Sequence, residues 1–477
     1  MKLKTDVSEQ AKPKTAIFCF RRDLRLDDNL GLQQALENYE RVIPAFIFDP
    51  RQLKPHDYRS IRALHFMFQA LEGLSRKLND LGSELFIRSS LPFNGLLNLA
   101  DEFSAEAVYL NRDYTPFSIR RDEKILTACE EAGIQVRQVD DALLNPPEVC
   151  LKGDGSPYTV FTPFYKNARH FPVMLPGQSP YFDRLIRQTE TPIQEDLLGK
   201  IAKQFELPEL TLNPSDLDEI MASLARQKDY EQERNNLATD STSHLSVFLK
   251  FGVISIRTVY HRIRDEYGAD HPLIRQLYWR DFYSHIVYHF PHVFGNSFKP
   301  QFADIQWNEN LELFEAWSRG ETGFPVVDAG MRELNSTGFM HNRARMITAS
   351  FLVKDLHLDW RWGERYFASQ LLDYDPAVNN GNWQWAASTG CDAQPYFRIF
   401  NPWLQQKKFD PACEYIKRWI PELRDLTPTA IHNLAQVPAQ GYPEPMVDHS
   451  VQATLAKQLF QTASQDYQNR PPVLDKD

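Results

Sequence analysis

The first 140 residues alternate between short apolar runs and segments whose apolar residues repeat at helical spacing. The apolar runs predict strands at residues 16–20, 41–50, 83–90, 105–116 and 134–144. The periodic segments predict helices at residues 30–38, 60–82 and 118–133. Since buried parallel strands are apolar throughout and are joined by helices, this alternation indicates a doubly wound parallel sheet.

The pattern changes after the predicted sheet. Residues 141–204 are rich in proline and predict a long irregular connection, whereas helical periodicity dominates from residue 205 onwards. The predicted fold is an α/β N-terminal domain with a doubly wound parallel sheet, followed by an all-α C-terminal domain. The predicted boundaries are a flexible polar leader at 1–13, the α/β domain at 14–140, the connection at 141–204 and the helical domain at 205–477.

Composition excludes several classes of protein. Hydrophobic residues make up 42% and charged residues 24% of the 477, as in globular proteins. No run of 18 apolar residues predicts a membrane span, and five cysteines without a C-x-x-C pair indicate neither a disulfide framework nor a zinc site. We expect a cytoplasmic monomer without a metal. The net charge of −10 does not exclude nucleic acid, because binding depends on local patches.

Charged residues follow the first predicted strand, in the stretch RRDLRLDDN. A usual dinucleotide site would have a G-x-G-x-x-G motif there, and this chain has none. The stretch predicts a solvated charged loop that ends in a helix cap at Asp28 or Asn29.

The segment MHNRARMITASFLVKDL carries polar residues beside an apolar stripe. Helical spacing places Asn342, Arg345 and Met346 on one face and turns Arg343 away from it. An unpaired buried arginine is costly, so Arg345 needs a partner, and the acids of LLDYDP are available. A structural ion pair and a ligand site both remain open.

Two other stretches also allow two interpretations. Thr242, Ser243 and Ser246 stand at the start of a helix, where hydroxyl groups form either an anion site or an ordinary N-cap; we favour the cap.

All nine tryptophans lie between Trp279 and Trp419, and packing is the simpler explanation for most of them. Near a pocket, however, a tryptophan can stack on a flat ligand or an extruded base.

Seven motifs carry a specific resemblance: FRRDLRLDDN, FTPFYKNA, TSHLS, WRDF, FPVVDAGMRELNSTGFMHNRARMITASFLVKDL, DWRWGERYF and NNGNWQWAASTGCDAQPYFRIFNP. With these motifs, the chain resembles the photolyase/cryptochrome family from about residue 14 to residue 450. It is most similar to the class I cyclobutane pyrimidine dimer photolyases.

The resemblance implies that the helical domain binds FAD, folded into a U. Arg345 and Asp373 would form an ion pair beside the flavin, and Asn379 would face flavin N5. The α/β domain would carry a second, light-harvesting antenna chromophore, for which folate and deazaflavin both remain open. The implied FAD-binding residues are Tyr230, Thr242, Ser243, Leu245, Ser246, Gln276, Arg280, Asn342, Arg345, Asp373, Asp375 and Asn379.

The resemblance also implies a reaction and a partner, UV-damaged DNA. A photoexcited, fully reduced flavin donates one electron to a pyrimidine dimer, the cyclobutane ring splits, and the electron returns. Trp383, Trp360 and Trp307 would relay electrons to the flavin, and Asn379 and Gln276 would act at the reacting groups. The implied contacts to DNA or to the lesion are Arg234, Trp279, Asn342, Arg343, Met346, Trp385, Arg398 and Lys407.

Two positions bear on the choice of lesion. Dimer photolyases commonly have a glutamate at the position of Gln276, and glutamine there is more typical of (6-4) photolyases. Those enzymes have a histidine at the position of Met346, and their reaction needs a proton transfer that methionine cannot supply. We therefore predict dimer repair, with a (6-4) photolyase as one alternative.

A blue-light photoreceptor of the cryptochrome type, with the same flavin pocket, is the other alternative. Many signalling members carry a long disordered C-terminal extension, and residues 450–477 are too few for one. The residues implied for the lesion pocket are also present, so we favour the enzyme.

Overall fold

The structure is a computed structural model that describes residues 13–191, 195–239 and 241–470, so the predicted leader lies outside the described residues except for Pro13. Five parallel strands form one sheet in the order β3-β2-β1-β4-β5. The strands are β1 Thr15–Phe20, β2 Arg41–Phe48, β3 Phe86–Ser89, β4 Ala107–Asn111 and β5 Gln135–Val139. All five predicted strands are confirmed: β1 begins one residue earlier than predicted, and the other four strands are shorter than predicted.

Helices cover both faces of this sheet. They are α1 Leu30–Asn38, α2 Pro50–Leu53, α3 Ile61–Asp80, α4 Pro92–Phe103 and α5 Pro116–Glu131. Alternate residues of β1 enter different cores: Phe18 packs with Leu32 of α1 and Leu71 of α3, and Ile17 packs with Leu99 of α4 and Ile125 of α5. The predicted doubly wound sheet is therefore confirmed, although the sequence interpretation missed α4.

The loop after β1 differs from its prediction. Asn29 caps α1 by accepting a hydrogen bond from the Leu32 backbone N–H, as predicted. However, Asp23, Arg25 and Asp28 are buried, not solvated. The prediction of a solvated loop is wrong because these charges find partners on distant segments, such as Asp141, which pairs with Arg25 at 2.7 Å.

The predicted irregular connection contains two helices, α6 Phe161–Ala168 and α7 Leu197–Ala202. The rest of the described chain is helical, as predicted. Its helices are α8 Leu217–Ser223, α9 Tyr230–Glu233, α10 Leu245–Phe251, α11 Ile256–Tyr267, α12 Pro272–His289, α13 Leu311–Arg319, α14 Pro325–Thr337, α15 Asn342–Lys354, α16 Trp360–Gln370, α17 Pro376–Ala387, α18 Pro402–Phe409, α19 Glu414–Trp419, α20 Pro428–His432 and α21 His449–Gln468.

The sheet layer and the helical part share one apolar core. Phe66 of α3 stacks on Phe251 at the end of α10, with ring centroids 5.1 Å apart, and meets Phe248 edge-on at 5.7 Å. A second core lies within the helical part, around α14, α15 and α16. The contact between α3 and α10 holds the carboxyl end of β1 close to the helices that form the candidate site.

Candidate functional site

A cavity of about 470 Å³ lies in the helical part, between α10, α12, α15 and α17. All predicted site residues line it except Trp360, Trp307, Arg343, Arg398 and Lys407. The residues that it brings together are Tyr230, Arg234, Thr242, Ser243, Leu245, Ser246, Gln276, Trp279, Arg280, Asn342, Arg345, Met346, Asp373, Asp375, Asn379, Trp383 and Trp385. The volume is that of a typical small-molecule site.

Solvent exposure divides the cavity into a deep end and a mouth. Asn379 and Trp383 are buried, with 8% and 2% of their surface exposed. Trp279, Met346 and Trp385 are only half-buried, so they lie nearer to solvent. The deep part of the cavity is therefore mainly apolar, with Asn379 and Asp375 as buried polar groups, and two half-buried tryptophans lie at its opening.

The predicted ion pair is present at the cavity wall. Arg345 Nη1 and Nη2 donate to the two carboxylate oxygens of Asp373 at 3.1 and 3.0 Å. Arg345 Nε also donates to the backbone oxygen of Met340 at 2.8 Å, and the guanidinium lies over the ring of Phe339. A two-pronged pair with these further contacts fixes the arginine in one geometry.

One face of α15 lines the cavity, as its spacing predicted. Asn342, Arg345 and Met346 point into the cavity, and the Asn342 amide donates to the Met346 sulfur at 3.7 Å. Arg343 points away, donates to Asn235 Oδ1 at 2.6 Å and lies 4.4 Å from the Phe409 ring centroid.

Helix α17 supplies the deep end. Asp375 caps the helix by accepting from the backbone N–H groups of Ala377 and Val378 at 3.0 and 3.3 Å. In the middle of α17, a Cβ on Gly381 would lie 2.0 Å from the ring of Tyr283 on α12. Only glycine fits there, which explains the glycine of the NNGNWQW motif.

Helix α16 holds the side chain of Asn379 through one hydrogen bond. Its side-chain Nδ2 donates to the backbone oxygen of Glu364 at 3.1 Å, which leaves Oδ1 facing the cavity. The Glu364 side chain is buried and accepts from the Tyr58 hydroxyl at 3.3 Å. Burial raises the pKa of Glu364 to about 7, and hydrogen bonds from Tyr58 and Asn380 offset part of that effect.

An aromatic wall stands at the mouth. Trp279 stacks on Phe161 of α6 with centroids 3.7 Å apart and the planes 7° from parallel. The helix within the proline-rich connection therefore fixes the orientation of this tryptophan. Gln276, one turn earlier on α12, donates through Nε2 to the Pro272 backbone oxygen at 3.3 Å and also lines the cavity.

The hydroxyl groups at the start of α10 do not form the predicted cap. The N-cap residue is His244, in the left-handed conformation with φ of 51°, and no side-chain cap is found among the described residues. Thr242, Ser243 and Ser246 line the cavity instead. The cap prediction is wrong because the N-cap position falls on His244: Thr242 and Ser243 precede it, and Ser246 lies within the helix.

The three predicted relay tryptophans belong to one apolar core. Trp383 and Trp360 are buried in it, and Trp307 packs against it, half-buried. A bridge between Asn308 and Leu358 brings the Trp307 segment beside the start of α16, where Trp360 lies. Their order in a relay stays a prediction.

The four predicted basic contacts to DNA are spread over the surface. Arg234 lines the cavity and lies over the Tyr230 ring, with centroid distance 5.3 Å. Arg398 and Lys407 are exposed outside the cavity. The contacts of these four side chains with DNA stay predictions.

Sequence reasoning missed several cavity residues, among them Lys250, Tyr283, Tyr374 and Asn382. Lys250 had a signal, because it is the one charged residue in the apolar stretch LSVFLKFG. Burial lowers the pKa of its ammonium to about 8, and the nearby charge of Arg22 adds to that effect. Tyr283 gave no sequence signal, since residues 281–287 of α12 are buried on every side and mix polar with apolar side chains, so no face stands out.

The described residues contain neither a helix suited to a membrane nor a cluster suited to a metal ion. None of the helices in residues 13–191, 195–239 and 241–470 has the length and apolar character to cross a bilayer. Within the same part of the chain, no group of three His, Cys, Asp or Glu side chains is arranged to hold a metal ion.

Comparisons with known proteins agree with the geometry. A family profile described as DNA photolyase matches residues 16–180, and a profile described as FAD binding domain of DNA photolyase matches residues 273–462. Deoxyribodipyrimidine photo-lyase of Synechococcus is 38% identical over 93% of this chain and 96% of its own. The enzyme of that name from Escherichia coli is 37% identical over 91% of this chain and 96% of its own.

Solved structures match over the same length. An archaeal photolyase from Sulfolobus tokodaii, whose structure contains two FAD molecules, is 42% identical with a TM-score of 0.85, over 94% of this chain and all of that one. The Synechocystis cryptochrome is 28% identical with a TM-score of 0.84, over 94% of this chain and 99% of its own. Identities of this size over nearly the whole chain show that the protein belongs to the DNA photolyase family.

Proposed function

We propose that this protein binds FAD in the cavity between α10, α12, α15 and α17 and uses light to repair cyclobutane pyrimidine dimers in DNA. The observation that carries the proposal is one cavity that has buried polar groups, Asn379 and Asp375, in its deep part and two half-buried tryptophans, Trp279 and Trp385, at its mouth. A flavin in the deep end and an extruded dimer at the mouth would lie in direct contact.

The donor groups of the cavity fit FAD. Thr242, Ser243 and Ser246 offer hydroxyl groups, and Arg234 offers a cation, for a pyrophosphate. Asn379 and Asp373 offer oxygen acceptors for the N–H groups of an isoalloxazine ring. Apolar side chains such as Leu245, Leu277 and Ala349 complete a surface on which flat rings can lie.

When bound in its reduced form, FAD supplies the light-excited electron that a pyrimidine dimer needs to split. The residues of this chain would place the flavin ring in the position that this reaction needs. Asn379 Oδ1 would accept a hydrogen bond from flavin N5–H, and the bond from Asn379 Nδ2 to the Glu364 backbone oxygen would hold the amide in place. The Arg345–Asp373 pair would fix the edge of the ring.

The mouth supports a dimer as the lesion. Trp279 and Trp385 offer aromatic surface on which an extruded base can stack. Gln276 offers an amide that can both donate and accept hydrogen bonds. Met346 stands at the mouth where (6-4) chemistry would need an acid, and the Met346 sulfur accepts only a weak bond from Asn342. We therefore favour cyclobutane dimers over (6-4) products.

We further propose that the α/β domain binds a second, light-harvesting chromophore. The support is the relative from Sulfolobus tokodaii, whose structure has two FAD molecules and is described as implying a novel light-harvesting cofactor. FAD therefore joins folate and deazaflavin as a candidate. The absorption spectrum of the purified protein, recorded before and after denaturation, would identify each released chromophore.

Repair is tested with oligonucleotides that carry one defined lesion. The reduced protein is mixed with the dimer or with the (6-4) oligonucleotide, illuminated with blue or near-UV light or kept dark, and the products are resolved by chromatography. We expect loss of the dimer in the light alone and no change in the (6-4) oligonucleotide. Equal dimer content in light and dark would contradict the proposal.

The lesion pocket is tested by a matched pair of tryptophan variants. Trp279→Phe removes stacking surface at the mouth and should weaken binding of the dimer oligonucleotide several-fold without changing binding of undamaged DNA. Trp362→Phe is the control, because Trp362 is equally half-buried but packs on Phe314, outside the cavity. Equal affinity in both variants would place the lesion elsewhere.

A further inference from the structure

The loop after β1 reaches from the α/β domain to the flavin cavity through one side chain. Arg22 Nη2 lies 2.5 Å from Asp375 Oδ2, and Arg22 Nη1 lies 3.4 Å from Asp113 Oδ1. Asp375 lines the cavity and Asp113 follows β4, so Arg22 bridges the two parts of the molecule. Only 19% of the Arg22 side chain is exposed.

The backbone of this loop is docked on the end of α10. The Leu24 N–H donates to the Phe251 backbone oxygen at 3.1 Å. Gly252, in the left-handed conformation with φ of 61°, has no room for a side chain, since a Cβ there would lie 2.3 Å from the Arg22 backbone oxygen. Arg22 is thus presented to the cavity from a fixed position.

Both oxygens of the Asp375 carboxylate are engaged. Oδ1 accepts from the first N–H groups of α17, and Oδ2 accepts from Arg22. The guanidinium therefore determines how the carboxylate is turned relative to the cavity. Because Asp375 is the N-cap of α17, the same contact steadies the helix that carries Asn379 and Trp383.

The charges around this carboxylate favour its ionised form. Burial would raise the pKa of Asp375, but the facing cations of Arg22, Lys250 and Arg280 outweigh burial and hold it well below its usual range. Those three cations face two carboxylates, Asp375 and Asp113. Arg280 also pairs with Asp281 at 3.5 Å, so three cations meet three acidic side chains here. Loss of one of these cations would make the cavity wall more negative and less favourable for an anionic ligand.

We propose that Arg22 is a positioning residue of the flavin site, supplied by the α/β domain, which orients Asp375 toward the flavin and contributes one of the cations beside the cavity. The inference rests on the proposed flavin site. It assigns a function in the helical domain to a residue of the loop after β1. Loss of Arg22 would free the Asp375 carboxylate to rotate and would remove one of the positive charges that favour the reduced, anionic flavin.

The test compares four variants of the flavin-loaded protein: Arg22→Gln, Arg22→Lys, Asp375→Asn and the control Arg112→Gln. Arg112 follows β4 and pairs with Asp140 and Glu148 at 2.9 and 2.6 Å, so its loss removes a cation of the same domain without touching Asp375. FAD release on dilution is followed by the fluorescence of free FAD. The flavin midpoint potential is measured by titration with a redox dye.

We expect Arg22→Gln to weaken FAD binding about tenfold and to lower the midpoint potential, while Arg112→Gln changes neither. Arg22→Lys keeps the charge and should retain the potential and bind FAD within about threefold of the wild type. The double variant Arg22→Gln/Asp375→Asn should bind FAD no more weakly than Asp375→Asn alone. Should Arg22→Gln fail to fold, the lysine variant and Asp375→Asn carry the test.

The outcomes separate the inference from the function on which it rests. Unchanged FAD affinity in Asp375→Asn would overturn the proposed flavin site together with the inference. Weakened affinity in Asp375→Asn with unchanged affinity and potential in Arg22→Gln would overturn the inference alone. Additive losses in the double variant, or equal losses in Arg22→Gln and Arg112→Gln, would show that Arg22 acts only as a structural ion pair.

Discussion

The buried carboxyl of Glu364, whose backbone oxygen holds Asn379, should make the stability of the protein fall as pH rises from about 4.5 to about 7. Its side chain belongs to a residue that is only 3% exposed, and burial raises its pKa from an ordinary 4.5 to about 7. Below pH 4.5 the carboxyl is protonated in both the folded and the unfolded chain. Between pH 4.5 and 7 the unfolded chain ionises first, so unfolding becomes easier as pH rises.

The magnitude follows from the two pKa values. Each pKa unit corresponds to about 1.4 kcal/mol, so the shift from 4.5 to about 7 costs the folded state about 3 kcal/mol above pH 7. Glu364→Gln keeps the shape of the side chain and its bond from the Tyr58 hydroxyl, but it cannot ionise. The variant should therefore match the wild type near pH 4.5 and exceed its free energy of unfolding by up to about 3 kcal/mol at pH 8.

Urea unfolding, followed by tryptophan fluorescence at pH 5, 6, 7 and 8, measures the difference between variant and wild type. The difference cancels the contributions of other titrating groups. Glu102→Gln is the control, because Glu102 is 38% exposed in a surface pair with Arg88 and its loss should have little effect at any pH. A difference that does not grow with pH, or a variant less stable than the wild type at pH 8, would refute the reasoning.

Three further predictions concern function. Trp383→Phe or Trp307→Phe should block light-driven reduction of oxidised flavin, measured by absorption, and leave repair by chemically reduced protein intact; unchanged photoreduction in both would mean another electron route. Arg398→Ala should weaken DNA binding about equally for all sequences and reduce the slope of log affinity against log salt by about one unit; an unchanged slope would show that Arg398 does not contact phosphate. Gln276→Glu should change dimer affinity or repair yield by a factor of a few to about tenfold, since a single hydrogen bond is altered. Repair of (6-4) oligonucleotides alone would show that Gln276, and not Met346, marks the lesion choice.

Local sequence patterns predicted those features of the structure that depend on interactions between residues close together in the chain. The strands and most helices around the sheet follow from the spacing of apolar residues, and Asn29 caps α1 as a short polar side chain should. The spacing of Asn342, Arg345 and Met346 placed them on one face of α15. The cost of an unpaired buried charge required a partner for Arg345, and Asp373 supplies it.

Resemblance to a family added roles that no local pattern contains. The motifs implied which residues would surround FAD, and the structure brings most of them to one cavity. It does not test what each residue does there. Arg398 and Lys407 lie outside that cavity, so their assignment to DNA still depends on the resemblance.

By itself, the sequence determined the alternation of strands and helices, the helical second half and the polar face of α15, because periodicity and propensity act over a few residues. Only the tertiary structure decided which charges are buried and what they contact. Arg22 was predicted to be solvated, yet it pairs with Asp375, 353 residues away. Glu364 accepts a hydrogen bond from the hydroxyl of Tyr58, 306 residues away. Burial and pairing over such separations depend on how whole elements pack, and no local pattern records that.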